Sequence, residues 1–236
     1  REITDYIKFV FPMLILYILF FILPLFQTIG YSFTDYNGIN PKKEFTGLTN
    51  YFDVFQDKWF YNSMAFTGKS VLLMILLANV LGFLLALALN TKIRSRNILR
   101  AIVFCPFVFN NVTVGFIWQF LLGRFMTDLY PLTGWKVFNI GWLSDNSLVL
   151  YSVVFVKLWQ SIGYFMVIYL AGLQLLPQDP LEAAVIDGCT GIKMIRYITI
   201  PLMKPTAFVC IFLAITESLN MFPLIMSLTN GGQMEE

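Results

Sequence analysis

The feature that most limits how this chain can fold is a succession of long apolar segments separated by short polar ones. The segments run over about Phe9–Tyr31, Ser70–Leu89, Ile102–Leu122, Leu148–Leu173 and Thr206–Leu228. A helix of about 20 apolar residues crosses the hydrocarbon core of a bilayer, whereas a barrel strand needs only about ten. Backbone groups in lipid must be satisfied internally, and continuous apolar runs of this length leave the helix as the solution. The composition agrees: 58% of residues are hydrophobic, 13% are charged and the mean hydropathy is +0.71. Soluble domains carry about 25% charged residues. The fold class expected is therefore an all-α membrane protein, with 1–236 forming a single transmembrane domain of five spans.

Much chemistry is excluded by what the chain lacks. It contains no His, the commonest general base and metal ligand. Cys105, Cys189 and Cys210 show no CxxC spacing and read as small hydrophobes, with no metal site and no disulfide framework implied. The net charge of +2 is too small to suggest nucleic-acid binding. Gly68-Lys69-Ser70 mimics the tail of a phosphate-binding loop, but Ser63 stands where the first Gly belongs and no strand pattern precedes it. Lys69 reads instead as an interfacial anchor at a helix end. No HExxH, GxSxG or paired intramembrane aspartates point to an enzyme.

Loop charge orients the chain. Asn90–Arg100 carries Lys92, Arg94, Arg96 and Arg100 and no acid, which places it in the cytoplasm by the positive-inside rule. The N-terminus and Leu176–Pro205 then lie inside as well, and Ser32–Lys69 and Gly123–Asn146 outside. The first segment has no small-residue cleavage site behind a short core, so it is read as a retained span, kinked at Pro24. Because the sequence opens on Arg1 and stops soon after an apolar helix, it is expected to be incomplete at both ends.

One internal stretch combines acids, bases, two Gly and four Pro: LPQDPLEAAVIDGCTGIKMIRYITIPLMKP, Leu176–Pro205. Asp179 suits an N-cap, Pro180 the first helical position and Glu182 the closing position of a capping box. A short helix can run to Asp187 before Gly188 turns the chain. Thr190 can cap a second short helix with an apolar stripe of Ile192, Ile195 and Tyr197 or Ile198, ended by Pro201. The result is a rigid helical knuckle. On its own it could be an ordinary, well-capped cytoplasmic loop.

The ordered string Glu182-Ala183-Ala184, Asp187-Gly188 and Ile198-x-Ile200-Pro201, continued to Pro205, resembles the EAA loop of permease subunits in type I ABC importers. Its wider form is similar to the carbohydrate-uptake branch, including the larger maltose-permease subunit and the glycerol-phosphate and oligosaccharide permeases. SFTDYN followed by TGLTNY, and the LTNGG run with Gln233 in place of a Pro, resemble the same branch. Cys189 and Ile195 depart from its usual small and aromatic residues. The resemblance implies a sixth span beyond the C-terminus and a coupling role for Glu182, Ala183, Ala184, Asp187, Gly188 and Pro201. It also implies a prokaryotic plasma (inner) membrane location. The expected partners are two cytoplasmic ATPase subunits that bind ATP and Mg, a second homologous permease and an external solute-binding protein. No cofactor is expected in this chain.

Polar residues within spans are costly and mark either a substrate path or hydrogen bonds between helices. Asn110 and Gln119 lie in the third span, Gln160 and Tyr164 in the fourth, Glu217, Asn220 and Phe222 in the fifth. Asn111, Thr216 and Ser218 lie beside them, and Trp118 and Trp159 could add aromatic faces for a sugar. Lys157 is the other intramembrane charge, explained by snorkelling or by pairing. The alternative function is a secondary transporter driven by an ion gradient. It would want inverted repeats and broken helices around an ion site; the sequence shows no internal repeat, and Glu217 alone is a thin ion site.

Overall fold

The computed structural model describes residues 2–39, 43–91 and 94–231, so Lys92, Gln233 and the second Gly of LTNGG lie outside the described residues. These residues are helical almost throughout and form two units, 1–64 and 65–236.

In the first unit, α1 (Glu2–Tyr17) and α2 (Leu23–Tyr31) are joined by a π turn over Ile18–Ile22. The turn lies just ahead of Pro24. Leu23 N–H reaches back five residues to Ile18 O, which accommodates the donor and space lost to the proline ring. Val10–Tyr31 is long and apolar enough to cross a membrane, and none of it is buried within the chain. The loop that follows folds on itself. Thr34 and Phe45 form an antiparallel bridge, and Asn50 donates to Ser32 O at 3.0 Å and Thr34 O at 2.8 Å. Ser32 Oγ and Tyr51 Oη are 2.7 Å apart. The SFTDYN and TGLTNY motifs are thus partners, fastened by the side chains that define them. α3 (Thr49–Gln56) closes this unit.

α4 (Lys58–Leu89) begins well before the apolar run expected to open at Ser70. Lys69 is therefore exposed on the side of a continuous helix and not an anchor at its end. Within the second unit, α4 buries Ser70, Met74, Ala78, Gly82 and Ala86, a stripe of mostly small residues every fourth position. Small residues let helices approach closely. A Cβ on Gly82 would sit 2.8 Å from that of Phe165, and Asn79 Oδ1 accepts from Tyr169 Oη at 2.6 Å.

The expected third span, Ile102–Leu122, is not one helix. α5 (Arg96–Phe104) passes into a 3-10 turn, Cys105–Val108, after which Phe109 and Asn110 are extended. α6 (Asn111–Gln119), a π turn over Phe120–Phe125 and α7 (Met126–Thr133) then depart at 94°. Pro106 and the capping Asn110, whose Oδ1 accepts from Val112 N–H at 2.9 Å, favour the break.

α8 (Val149–Gln174) is the hub. It is apolar all round and buried on most sides, with Val153, Val156, Phe165 and Met166 in the core. α5 crosses it at Gly163, where a Cβ would lie 2.6 Å from Phe104 Cα. α9 (Gln178–Ile186), α10 (Ile192–Met194) and α11 (Ile200–Leu202) make the knuckle. α12 (Lys204–Leu219) follows after a 70° bend and packs on α8. The expected fifth span, Thr206–Leu228, also divides. α12 stops at Asn220 and α13 (Phe222–Thr229) packs along α6, where Gly115 leaves room for Ser227. Among the described residues, three helices are long and apolar enough to cross a membrane, or up to five segments if each bent pair counts as one.

Candidate functional site

The knuckle is held by its backbone. α9 begins two residues earlier than the capping box implies: Pro177, extended at φ −62° and ψ 138°, is the N-cap, and Asp179 lies inside the first turn. Pro177 cannot extend a helix backwards, so it fixes the start. Asp179 still places negative charge where the helix dipole favours it. At the other end Cys189 N–H donates to Ala184 O at 2.8 Å and Gly188 N–H to Val185 O at 3.0 Å. These are the two bonds of a Schellman cap. They require a left-handed residue, and Gly188 supplies it at φ +77°.

Gly191, at φ 59° and ψ −129°, is the N-cap of α10, in place of the expected Thr190. Pro201 does not end the second helix. A π turn over Ile195–Thr199 precedes it, and Ile200, helical at φ −59° and ψ −47°, donates to Ile195 O. This repeats the solution at Pro24. The bend comes later, at Met203, with Pro205 in the first turn of α12 where its missing N–H costs nothing. The apolar stripe is split accordingly: Ile195 and Ile198 are half-buried, Ile192 and Tyr197 exposed.

α9 rests on that π turn and buries Ala184 to 6% exposure. Glu182, Ala183, Val185, Asp187 and Gly188 are exposed, and Ile186 is 86% exposed. The knuckle thus offers a rigid surface of mixed apolar and acidic character.

A second constellation lies among the breaks of the helices. Lys157 Nζ, on a side chain only 3% exposed, is 2.6 Å from Glu217 Oε2; the Glu217 side chain is 30% exposed. Lys157 also approaches Asn111 Oδ1 at 3.4 Å, and Gln160 Nε2 donates to Phe109 O at 2.9 Å. Gln160 binds the carbonyl left free where the third segment breaks, and Asn111 begins the helix beyond it. One face of α8 therefore ties α12 to the broken segment. Tyr164, one turn on, stacks on Phe107 with ring centroids 4.5 Å apart and 3° between planes. Trp118 meets Trp159 edge to face at 5.4 Å.

The other anticipated residues stand apart. Asn110 spends its carboxamide oxygen on its own helix cap, and Asn220 donates to Thr216 O at 3.0 Å where α12 ends. Gln119 is half-buried at the end of α6, and Phe222 is exposed at the start of α13. What the sequence did not yield is the pairing of Lys157 with Glu217. The available signal was that they are the only opposite charges in the fourth and fifth apolar segments.

Bent apolar helices, an ion pair with a buried Lys157 and a capped helical knuckle between two of the apolar segments fit a protein that crosses a membrane several times. The chain belongs to the family described as the inner membrane component of binding-protein-dependent transport systems, which it matches over residues 78–235. It is 36% identical over 228 residues to a probable starch degradation products transport system permease protein, AmyD, of Thermoanaerobacterium thermosulfurigenes, covering 96% of this chain and 77% of that one. It is 32% identical over 219 residues to the multiple sugar-binding transport system permease protein MsmF of Streptococcus mutans, covering 93% and 76%. Its fold matches a bacterial ABC transporter involved in the import of the acidic polysaccharide alginate, with TM-score 0.78 and 21% identity, covering 97% and 80%.

Proposed function

We propose that this chain is one of two membrane-spanning subunits of an ATP-driven ABC importer for a sugar or oligosaccharide, delivered by an external solute-binding protein. The observation that carries this reading is the knuckle, whose shape depends on its own backbone and which leaves Glu182, Ala183, Val185, Ile186, Asp187 and Gly188 exposed. A surface so built can receive force without dissipating it in loop motion. Glu182, Ala183, Asp187 and Gly188 dock in a groove of a cytoplasmic ATPase; Ala184, expected on that surface, is buried and instead packs α9 against the π turn, while Pro201 lies in the helix that leads the motion into α12. ATP and Mg are bound by the two ATPase subunits and not by this chain. A second permease completes the path. The N-terminus and the basic loop around Arg94, Arg96 and Arg100 face the cytoplasm, and 1–236 acts as one transmembrane domain with a sixth span following it.

Sugar relatives and the saccharide chemistry of the intramembrane residues support the substrate class. Glu217, Gln160, Asn220, Asn110 and Gln119 offer hydrogen bonds to hydroxyls, and Tyr164 and Phe222 offer rings to C–H faces. Gly188→Asp tests the docking. An added Cβ would touch nothing within 4 Å. The left-handed backbone costs a non-Gly residue about 1–2 kcal/mol. Membrane insertion is therefore expected to persist while ATP-dependent uptake by the complete transporter is lost. Normal uptake would overturn the docking.

A further inference from the structure

We infer that the Lys157–Glu217 pair makes the translocation path select uncharged saccharides over acidic ones. This rests on the reading above that α8 and α12 line the path. Across the five apolar segments these two residues are the only charges. Lys157 is already committed, to Glu217 Oε2 and Asn111 Oδ1, and its side chain is almost inaccessible. Glu217 is the partner left accessible, its side chain 30% exposed.

Gln160 repeats the pattern. Its nitrogen is spent on Phe109 O, while Oε1 is buried without a partner on a residue 3% exposed. The network thus presents one accessible carboxylate, with Gln160 Oε1 buried behind it, and no unused cation. Sugar hydroxyls are donors that satisfy such acceptors, and a buried acceptor left unmet is costly. A substrate carboxylate brings a further acceptor and a like charge beside Glu217, and Lys157 is reachable only by displacing Glu217 from it. The Tyr164–Phe107 stack, on the same side of α8 as Lys157 and Gln160, supplies an aromatic surface next to these acceptors.

The experiment uses the assembled transporter, with its second permease and ATPase, in lipid nanodiscs without binding protein. Equilibrium binding is measured with neutral oligosaccharides of two to five units (the malto-oligosaccharide series among them) and with oligogalacturonates of equal length. The wild type is expected to favour the neutral series by about tenfold or more, the scale on which like charges are rejected. Glu217→Gln removes the negative charge and leaves Lys157 as a net cation, so the preference is expected to reverse. The double variant Lys157→Met/Glu217→Gln has no net charge and is expected to lose the reversal, whether or not the single variant is stable. If the wild type prefers neutral sugars and the variants keep its preference, the pair only braces the helices and this inference fails alone. If the wild type binds neither series, the sugar-path reading fails and takes the inference with it.

Discussion

The knuckle and the intramembrane network solve opposite problems. In the knuckle the backbone satisfies itself, through the Schellman bonds at Gly188 and the π turn before Pro201, and the side chains are left free. In the network the backbone is interrupted, and buried side chains make up the loss: Gln160 meets Phe109 O, while Lys157 joins Glu217 and Asn111. A region of the first kind can exchange partners without unfolding. A region of the second kind can be disturbed only by disturbing the fold.

The sharpest way to break the comparison is to split the ion pair. Lys157→Met leaves a carboxylate without its partner, and loss of one member of a buried pair costs about 3 kcal/mol when the survivor is partly exposed. Thermal unfolding of the purified complex should show this as a large fall in stability, with much of it recovered in Lys157→Met/Glu217→Gln. Equal stability of the single variant and the wild type would mean that the network does not brace the fold. Gly163→Val comes next. Its side chain would enter the backbone of α5, and overpacking of this kind costs about 1–3 kcal/mol. The expected result is lower yield and lower thermal stability, and an unchanged melting profile would contradict the close crossing.

On the knuckle the sign of the expectation changes. Ile186→Ser removes an exposed apolar side chain, so stability should move by no more than about 0.5 kcal/mol. ATPase association, followed by co-purification, should nevertheless fall. Retained association would remove Ile186 from the docking surface. The smallest effect is at the loop before α8. Asp145 Oδ1 accepts from Ser147 Oγ at 2.6 Å and Ser147 N–H at 2.8 Å. These bonds hold its carboxyl below the ordinary carboxylate value. A lowered native pKa means that the turn is fully supported at neutral pH and loses that support as pH falls through the native value. The protection factor of the Ser147 amide, its intrinsic exchange rate divided by the observed one, should fall on acidification through that value, and in Asp145→Asn it should not change with pH over this range.

The two regions also differ in how far the sequence discloses them. Gly188 is legible because a turn after a capped helix is a local event. The family is legible because the EAA string is compact and ordered. Positions of breaks are harder. Pro201 reads as a stop by its own chemistry, yet a π turn opening six residues earlier absorbs it, and the same device carries the first segment past Pro24. Ile102–Leu122 is apolar enough to read as one span, and only Pro106 and the cap at Asn110 hint at the 94° bend. The network is least legible of all. Lys157 and Asn111 are 46 positions apart, and Lys157 finds Glu217 on yet another helix. No periodicity within one helix encodes a meeting of three.

The measurement that bears most directly on the central claim is native mass spectrometry of the tagged chain, purified gently from its own membranes. An importer subunit driven through its knuckle should emerge with two copies of one ATPase and one further permease, and Gly188→Asp should lose the ATPase while retaining the permease. Recovery of the chain alone or as a homo-oligomer, at full yield and without an ATPase, would contradict the account.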